Sequence, residues 1–359
     1  MKKKALFFCV LLPFGFSCKE ENEIVLIPNE PQQTVREYFV AAEEIEWDYA
    51  PQNKNLVTDA PFTPEELVFM ASDSNRIGHK YMKAKYKLYS DNSFTTPVVT
   101  EDDDELGILG PVLRAEEGDK IKVTFKNKTS FPVSMHPHGV KYDNNNEGLV
   151  GVPPNSTFIY EWDVTSQAAP TSADGSSILW MYHSHVTENM GMDIYAGLVG
   201  PLVVYKKGML TNSKAKDVDK EKFAFFSVFD ENASLYLDMN LQKYTTTKNA
   251  MIKSDPDFQE SNKMHSVNGL MFAHQQFGMN AGDKIRWYVF ALGNEVDWHT
   301  AHWHGNTVVS KGYREDVISI GPASMLVADM VAENQGTWQF HCHVHDHMVA
   351  GMISLYKIM

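Results

Sequence analysis

Cysteine is scarce in this chain. Among 359 residues there are three, Cys9, Cys18 and Cys342. Cys9 lies inside an N-terminal apolar segment and Cys18 just beyond it, so a processed chain would keep Cys342 as its one free thiol. A disulfide-stapled fold is thereby excluded, and a lone thiol in an oxidising compartment is a liability unless a metal holds it. Long apolar runs are missing as well: the N-terminal run, Ala5 to Leu12, is too short to cross a bilayer. Positive charge is in deficit, with 32 Lys and Arg against 46 Asp and Glu and a formal net charge of −14. Such a surface repels nucleic acid and attracts small cations. No long amphipathic helix is evident, apart from a short one expected at Thr63–Met70.

What is present begins with an export signal. Lys2, Lys3 and Lys4 precede the apolar run, and Gly15 and Ser17 lead to Cys18-Lys19-Glu20-Glu21. This resembles a bacterial lipoprotein signal, which implies a signal peptide over 1–17, lipidation of Cys18 and a cell-envelope location, periplasmic or surface-exposed. An ordinary cleaved signal would instead release a soluble protein. Loss of the three lysines would take the formal charge to −17. Residues 18–34 are acidic, rich in Asn and Pro and without periodicity, as a tether is.

Beyond the tether, apolar residues alternate in short runs bounded by Gly, Asn, Asp and Pro, the pattern of all-β sandwich domains. Ile121, Val123 and Phe125 follow a Gly118-Asp119 turn; Ile285, Trp287 and Val289 follow a Gly282-Asp283 turn. In each half a strand of this kind precedes two His-rich segments. The repetition predicts an internal duplication, with one domain over 35–207, a second over 208–359, and a polar joint around Lys206 to Lys222.

Ten of the fourteen histidines fall into four clusters: His136-Pro-His138, His183-Ser-His185, His299-Thr-Ala-His302-Trp-His304, and His341-Cys342-His343 with His347. Residues two apart on a strand share a face. His341 and His343 therefore point one way, and Cys342 points the other way with Trp338 and Phe340, into the apolar interior. His302 and His304 share a face, and His299 can turn to the opposite one. Two sites are predicted. Cys342, His299 and His347, with Met352 as a weak axial ligand, form a blue-copper electron-transfer centre. His136, His138, His183, His185, His302, His304, His341 and His343 supply eight imidazoles, enough for three copper ions with positions open for O₂. One quartet comes from each half, which requires an interface. His341 and His343 flank Cys342 covalently and so give a short bonded path between the sites.

These segments resemble the multicopper oxidases, and the ceruloplasmin and hephaestin branch more than the fungal laccases. The likeness includes Ala42-Glu43-Glu44-Ile45-Glu46-Trp47-Asp48-Tyr49-Ala50, Met135-His136-Pro137-His138-Gly139-Val140 and Tyr182-His183-Ser184-His185. It continues through Val228-Phe229-Asp230-Glu231-Asn232, Met264-His265-Ser266-Val267-Asn268-Gly269 and Gly293-Asn294-Glu295-Val296-Asp297-Trp298-His299. It ends at His341-Cys342-His343-Val344-His345-Asp346-His347. The resemblance implies two cupredoxin-like Greek-key domains and four coppers per chain. His136 and His302 would bind the type 2 ion; His138, His183, His185, His304, His341 and His343 would bind the type 3 pair. Ser184 stands where the second half has Cys342, so the resemblance confines blue copper, the type 1 site, to the second domain. It also implies the arrangement of two-domain bacterial oxidases, homotrimers with each cluster between subunits.

For the electron donor, the resemblance offers Glu260, His265, Glu295 and Asp346 as an iron site beside the blue copper, with Glu295 serving a neighbouring copper domain. Hard carboxylate oxygens prefer Fe³⁺ to Fe²⁺ and so ease oxidation of the ion. Fe²⁺ is the expected donor, with Cu⁺ second and a laccase-like phenol oxidation as the alternative. A copper nitrite reductase needs fewer histidines, and a copper store would consume no O₂. His79, His274 and His345 receive no role, and Met190, Met192 and Met348 read as filler.

Overall fold

The Lys120–Asn127 strand shows why these segments are extended: Ile121, Val123 and Phe125 are buried while Lys120, Lys122 and Lys126 lie half-exposed on the other face. The computed structural model describes residues 33–359 except 190, 212 and 247–249. The leader, Cys18 and nearly all of the tether lie outside the described residues, as does Met190.

Four sheets account for the named strands. In the first, Val35–Asp48 runs antiparallel to Lys80–Tyr89 and parallel to Lys120–Asn127, which pairs with Thr157–Asp163. In the second, Leu113–Glu116 runs parallel to Val199–Tyr205, followed by Ser177–His183 and the short His136–Pro137. The third and fourth repeat this plan. Lys220–Asp230 lies parallel to Lys284–Ala291, with Lys263–Val267 on one side and Met325–Val331 on the other. Gln276–Met279 lies parallel to Ile353–Ile358, followed by Gly336–Cys342 and His299–Trp303. The same mixed topology occurs twice, which is the internal duplication in three dimensions.

Each repeat has an apolar core of its own, around Trp162 and Tyr160 in the first and around Trp287, Trp303 and Phe340 in the second. A further core joins the repeats, with Tyr49, Leu106, Leu179 and Val203 packed among Phe225, Tyr288 and Phe290. This explains a departure from simple alternation. In Lys284–Ala291 every residue after Lys284 is buried, because Ile285, Trp287 and Val289 face the second repeat's core while Tyr288 and Phe290 face the joint.

Buried polar groups cross that joint. Arg114 binds Asp102 at 2.9 Å and Glu221 at 3.1 Å, and Lys222 binds Glu105 at 2.6 Å. Lys83 and Glu231 form an ion pair whose side chains are both fully buried. Burial pushes the lysine down and the carboxyl up from their ordinary values. Near the expected short helix, Thr63 and Glu66 cap one another, the Thr63 N–H donating to the Glu66 carboxylate at 2.9 Å. The helix itself spans Leu67–Met70. Among the described residues no helix is long and apolar enough to cross a membrane.

Candidate metal centre

Strand register delivers the second repeat's donors. His299–Trp303 pairs with Gly336–Cys342 so that Ala301 meets Cys342, His302 meets His341 and Trp303 meets Phe340. Alternation then sends Cys342 into the buried core with Phe340 and Trp303, and His302 and His341 to the opposite face. On the core side, His299, Cys342 and His347 bring their donor atoms within 4.8 Å of one another. The His299 and His347 Nδ1 atoms lie 3.1 Å apart and 3.9 and 3.7 Å from the Cys342 sulfur. Met352 is fully buried beside them. Its carbonyl accepts the Cys342 N–H at 3.1 Å, and its N–H donates to the His347 carbonyl at 2.9 Å. The Thr300 N–H points at the Cys342 sulfur from 3.5 Å. Soft sulfur with two imidazoles is a donor set that suits copper.

On the opposite face, His302, His304 and His341 form a second three-donor group. His343 joins it, its ring 5.2 Å from His302 and 5.6 Å from His341. The first repeat has its counterpart in His136, His138 and His183, with the His185 ring 5.2 Å from His136 and 5.4 Å from His183. Hydrogen bonds fix several tautomers. His136 Nδ1–H donates to the Glu147 carbonyl at 2.6 Å, and His183 and His341 each donate from Nδ1 to the next residue's carbonyl at 2.8 Å. A carbonyl only accepts, so each Nε2 is left with a free lone pair for a metal. Those Nε2 atoms converge: His138 on His183 at 3.1 Å and His304 on His341 at 2.9 Å.

The two quartets do not meet. Among the described residues no three-donor group and no ring contact joins a histidine of one quartet to a histidine of the other. In the first repeat Ser184, fully buried, occupies the position of Cys342 and accepts the Ser134 N–H at 2.9 Å. Val133, which by spacing matches His299, is an apolar core residue.

At six of these imidazoles burial favours the neutral form, the one that binds metal. It pushes His183 down to about 3 and His138, His341 and His347 down to about 4, and it lowers His136 and His302. Burial also raises the Cys342 thiol, so a nearby cation is needed to favour the thiolate.

The expected iron-site residues are placed unevenly. The His265 ring lies 5.1 Å from that of His347, and burial pushes it down to about 3. Its Nδ1 is buried with no hydrogen-bond partner. Glu260 is exposed and paired with Lys263 at 2.9 Å. Asp346 and Glu295 are exposed. Among the described residues, none of these three carboxylates belongs to a three-donor group.

Sequence reasoning gave no role to Asp297, which is fully buried and accepts from His299 Nε2–H at 3.2 Å. The available signal was an acid two residues before a ligand, in the loop that leads into its strand. Asp316, 3.9 Å from His302 Nε2, was also passed over.

Comparison with known proteins shows the family. Two multicopper oxidase family models match, over residues 91–208 and 236–358. The chain is 42% identical to rat ceruloplasmin over 342 residues, covering 90% of this chain and 32% of the relative. It is 39% identical to human hephaestin over 350 residues, covering 91% and 30%, and 39% identical to human Ferroxidase HEPHL1 over 341 residues, covering 90% and 29%. The chain thus spans about a third of the length of these relatives. A solved multicopper oxidase superposes with a TM-score of 0.58 at 18% identity, over 91% of this chain and 90% of its own. A blue copper oxidase from Nitrosomonas europaea gives 0.56 at 17%, over 90% and 86%. At those identities the likeness establishes the fold, all-β with cupredoxin-like sandwiches.

Proposed function

The chain belongs to the multicopper oxidase family, and from that premise we propose that it couples one-electron oxidation of a donor to four-electron reduction of O₂ to water. One observation carries the reading. A single strand and its exit deliver Cys342 to one donor group and His341 and His343 to another on the opposite face. Copper held in these groups would supply a one-electron acceptor at Cys342 and O₂-reducing chemistry at the histidines. The residues fit four ions per chain. Cys342, His299, His347 and Met352 would hold type 1 copper, and His136 and His302 type 2. His138, His183, His185, His304, His341 and His343 would hold the type 3 pair. The chain itself supplies the connection, through the backbone between Cys342 and its neighbours and through His341 Nδ1–H donating to the Cys342 carbonyl.

Each quartet is half a site, so a second copy must complete it. A head-to-tail ring would place the second repeat of one subunit against the first repeat of the next, and a homotrimer closes such a ring.

Fe²⁺ is the proposed donor, with Cu⁺ second. Three features support a metal ion: relatives named as ferroxidases, the unpartnered buried Nδ1 of His265 beside His347, and the carboxylate of Asp346 adjacent in sequence to that ligand. The separation of the carboxylates from any three-donor group favours the second reading, a laccase-like phenol oxidase. Export as a lipoprotein through Cys18 completes the proposal; Cys18→Ser should abolish labelling by a radioactive fatty acid.

The test of the function is Cys342→Ser in the copper-loaded protein. Intense blue absorption and turnover should both vanish while the histidine groups still take up copper. Blue absorption surviving in that variant overturns the assignment.

A further inference from the structure

We propose that Asp297 is a positioning residue of the Cys342 site, holding His299 through its remote nitrogen and keeping the site's reduction potential low. This rests on the copper reading of the His299–Cys342–His347 group. The carboxylate is fully buried, and three N–H groups converge on it. Oδ1 accepts from the Val228 N–H at 2.8 Å and from His299 Nε2–H at 3.2 Å, and Oδ2 accepts from the Asn294 N–H at 2.9 Å.

These bonds determine what His299 can do. A carboxylate here can only accept, so the ring proton sits on Nε2 and the lone pair on Nδ1. Nδ1 is the nitrogen that faces His347 and the Cys342 sulfur. The same bond stops the ring from turning about its Cβ–Cγ axis. A carboxylate hydrogen-bonded to a ligand imidazole also raises its basicity. A more basic donor stabilises Cu²⁺ more than Cu⁺, which lowers the potential.

The surrounding loop is built to keep the carboxylate in place. Gly293 has φ +149°, and a Cβ there would collide with the Asp297 carboxyl group. Asn294 donates from its side chain to the Tyr195 hydroxyl at 3.0 Å, which ties the loop to the first repeat. Two backbone N–H groups, of Val228 and Asn294, hold the carboxylate directly, so it meets the imidazole from a fixed direction even without that side-chain tie.

The experiment compares full-length, copper-loaded wild type, Asp297→Asn and Asn294→Ala by redox titration of the blue absorption, with copper content and the EPR spectrum measured in parallel. Asp297→Asn should shift the Cu⁺/Cu²⁺ ratio at a fixed poise by about tenfold toward Cu⁺, and one such factor is about 59 mV for one electron. Asn294→Ala cuts the tie to Tyr195 but keeps the carboxylate, so its ratio should stay within about twofold. Should Asp297→Asn fail to fold, nitrogen-15 NMR of the reduced wild-type protein tests the same bond. A slowly exchanging, strongly deshielded His299 Nε2–H supports it, and a rapidly exchanging proton at an ordinary shift overturns it. A blue Asp297→Asn protein of unchanged potential overturns the inference alone. A wild type with no blue copper overturns the copper reading and the inference together.

Discussion

Two inactive variants, each stripped of half a quartet, should restore one another. His136→Ala/His138→Ala empties the first-repeat group, and His302→Ala/His304→Ala empties the second; neither touches Cys342, His299 or His347. Both should therefore be blue, and both should fail to consume O₂, because each homo-oligomer lacks an intact eight-histidine site. In a mixed ring a site is whole only where a second repeat from the first variant faces a first repeat from the second. Any closed trimer containing both variants has one such junction, so doubly tagged trimers should show about a third of wild-type O₂ uptake per blue copper. A mixed dimer would show about a half, so the fraction also reports ring size. Co-expression with two tags, sequential affinity purification and an oxygen electrode give the number. Zero uptake by demonstrably mixed oligomers would refute the reasoning, since it would mean that both quartets of a working site come from one chain.

Removing one partner of the buried Lys83–Glu231 pair strands a charge that also accepts from the Tyr49 hydroxyl. Lys83→Met should thus cost about 3–5 kcal/mol in urea unfolding. Adding Glu231→Leu should recover most of that loss; a double variant as unstable as the single would contradict it. The copper-free protein should weaken on acidification. His183 and His265 are pushed down to about 3, so below about pH 6.5 the unfolded chain binds more protons than the folded one. Each should then remove up to about 1.4 kcal/mol per pH unit between roughly 6.5 and 3, and equal melting temperatures at pH 7.5 and 5 would contradict this. Glu260→Ala/Asp346→Ala should lower kcat/KM for Fe²⁺ by roughly tenfold to a hundredfold and leave an outer-sphere phenol within a few-fold. Glu295→Ala should also slow Fe²⁺ turnover. Equal falls for both donors would show the carboxylates supporting the His347 loop, and no fall would favour the phenol reading.

The histidine faces were legible because the side-chain period of a strand is two. His341 and Cys342 must diverge whatever the rest of the fold does, and the pairing of Ala301 with Cys342 then places His302 beside His341. The duplication was legible from the two Gly-Asp turns for the same reason. Long-range packing was not. The inward burial of Tyr288 and Phe290 depends on a second core contributed by residues such as Tyr49 and Leu179. The donors that hold Asp297 come from positions 228, 294 and 299. Asp346 is adjacent to His347 in sequence, but whether the long side chain of Glu260 turns toward that site or pairs with Lys263 is decided by local solvent and charge.

The central claim, that electrons collected at Cys342 reach a histidine-bound site able to carry O₂ to water, is tested most directly by stoichiometry. With Fe²⁺ supplied to the copper-loaded protein in an oxygen electrode, four Fe²⁺ should be consumed per O₂ and no hydrogen peroxide should accumulate. A ratio of two with peroxide released, or a blue protein that oxidises its donor without taking up O₂, would contradict it.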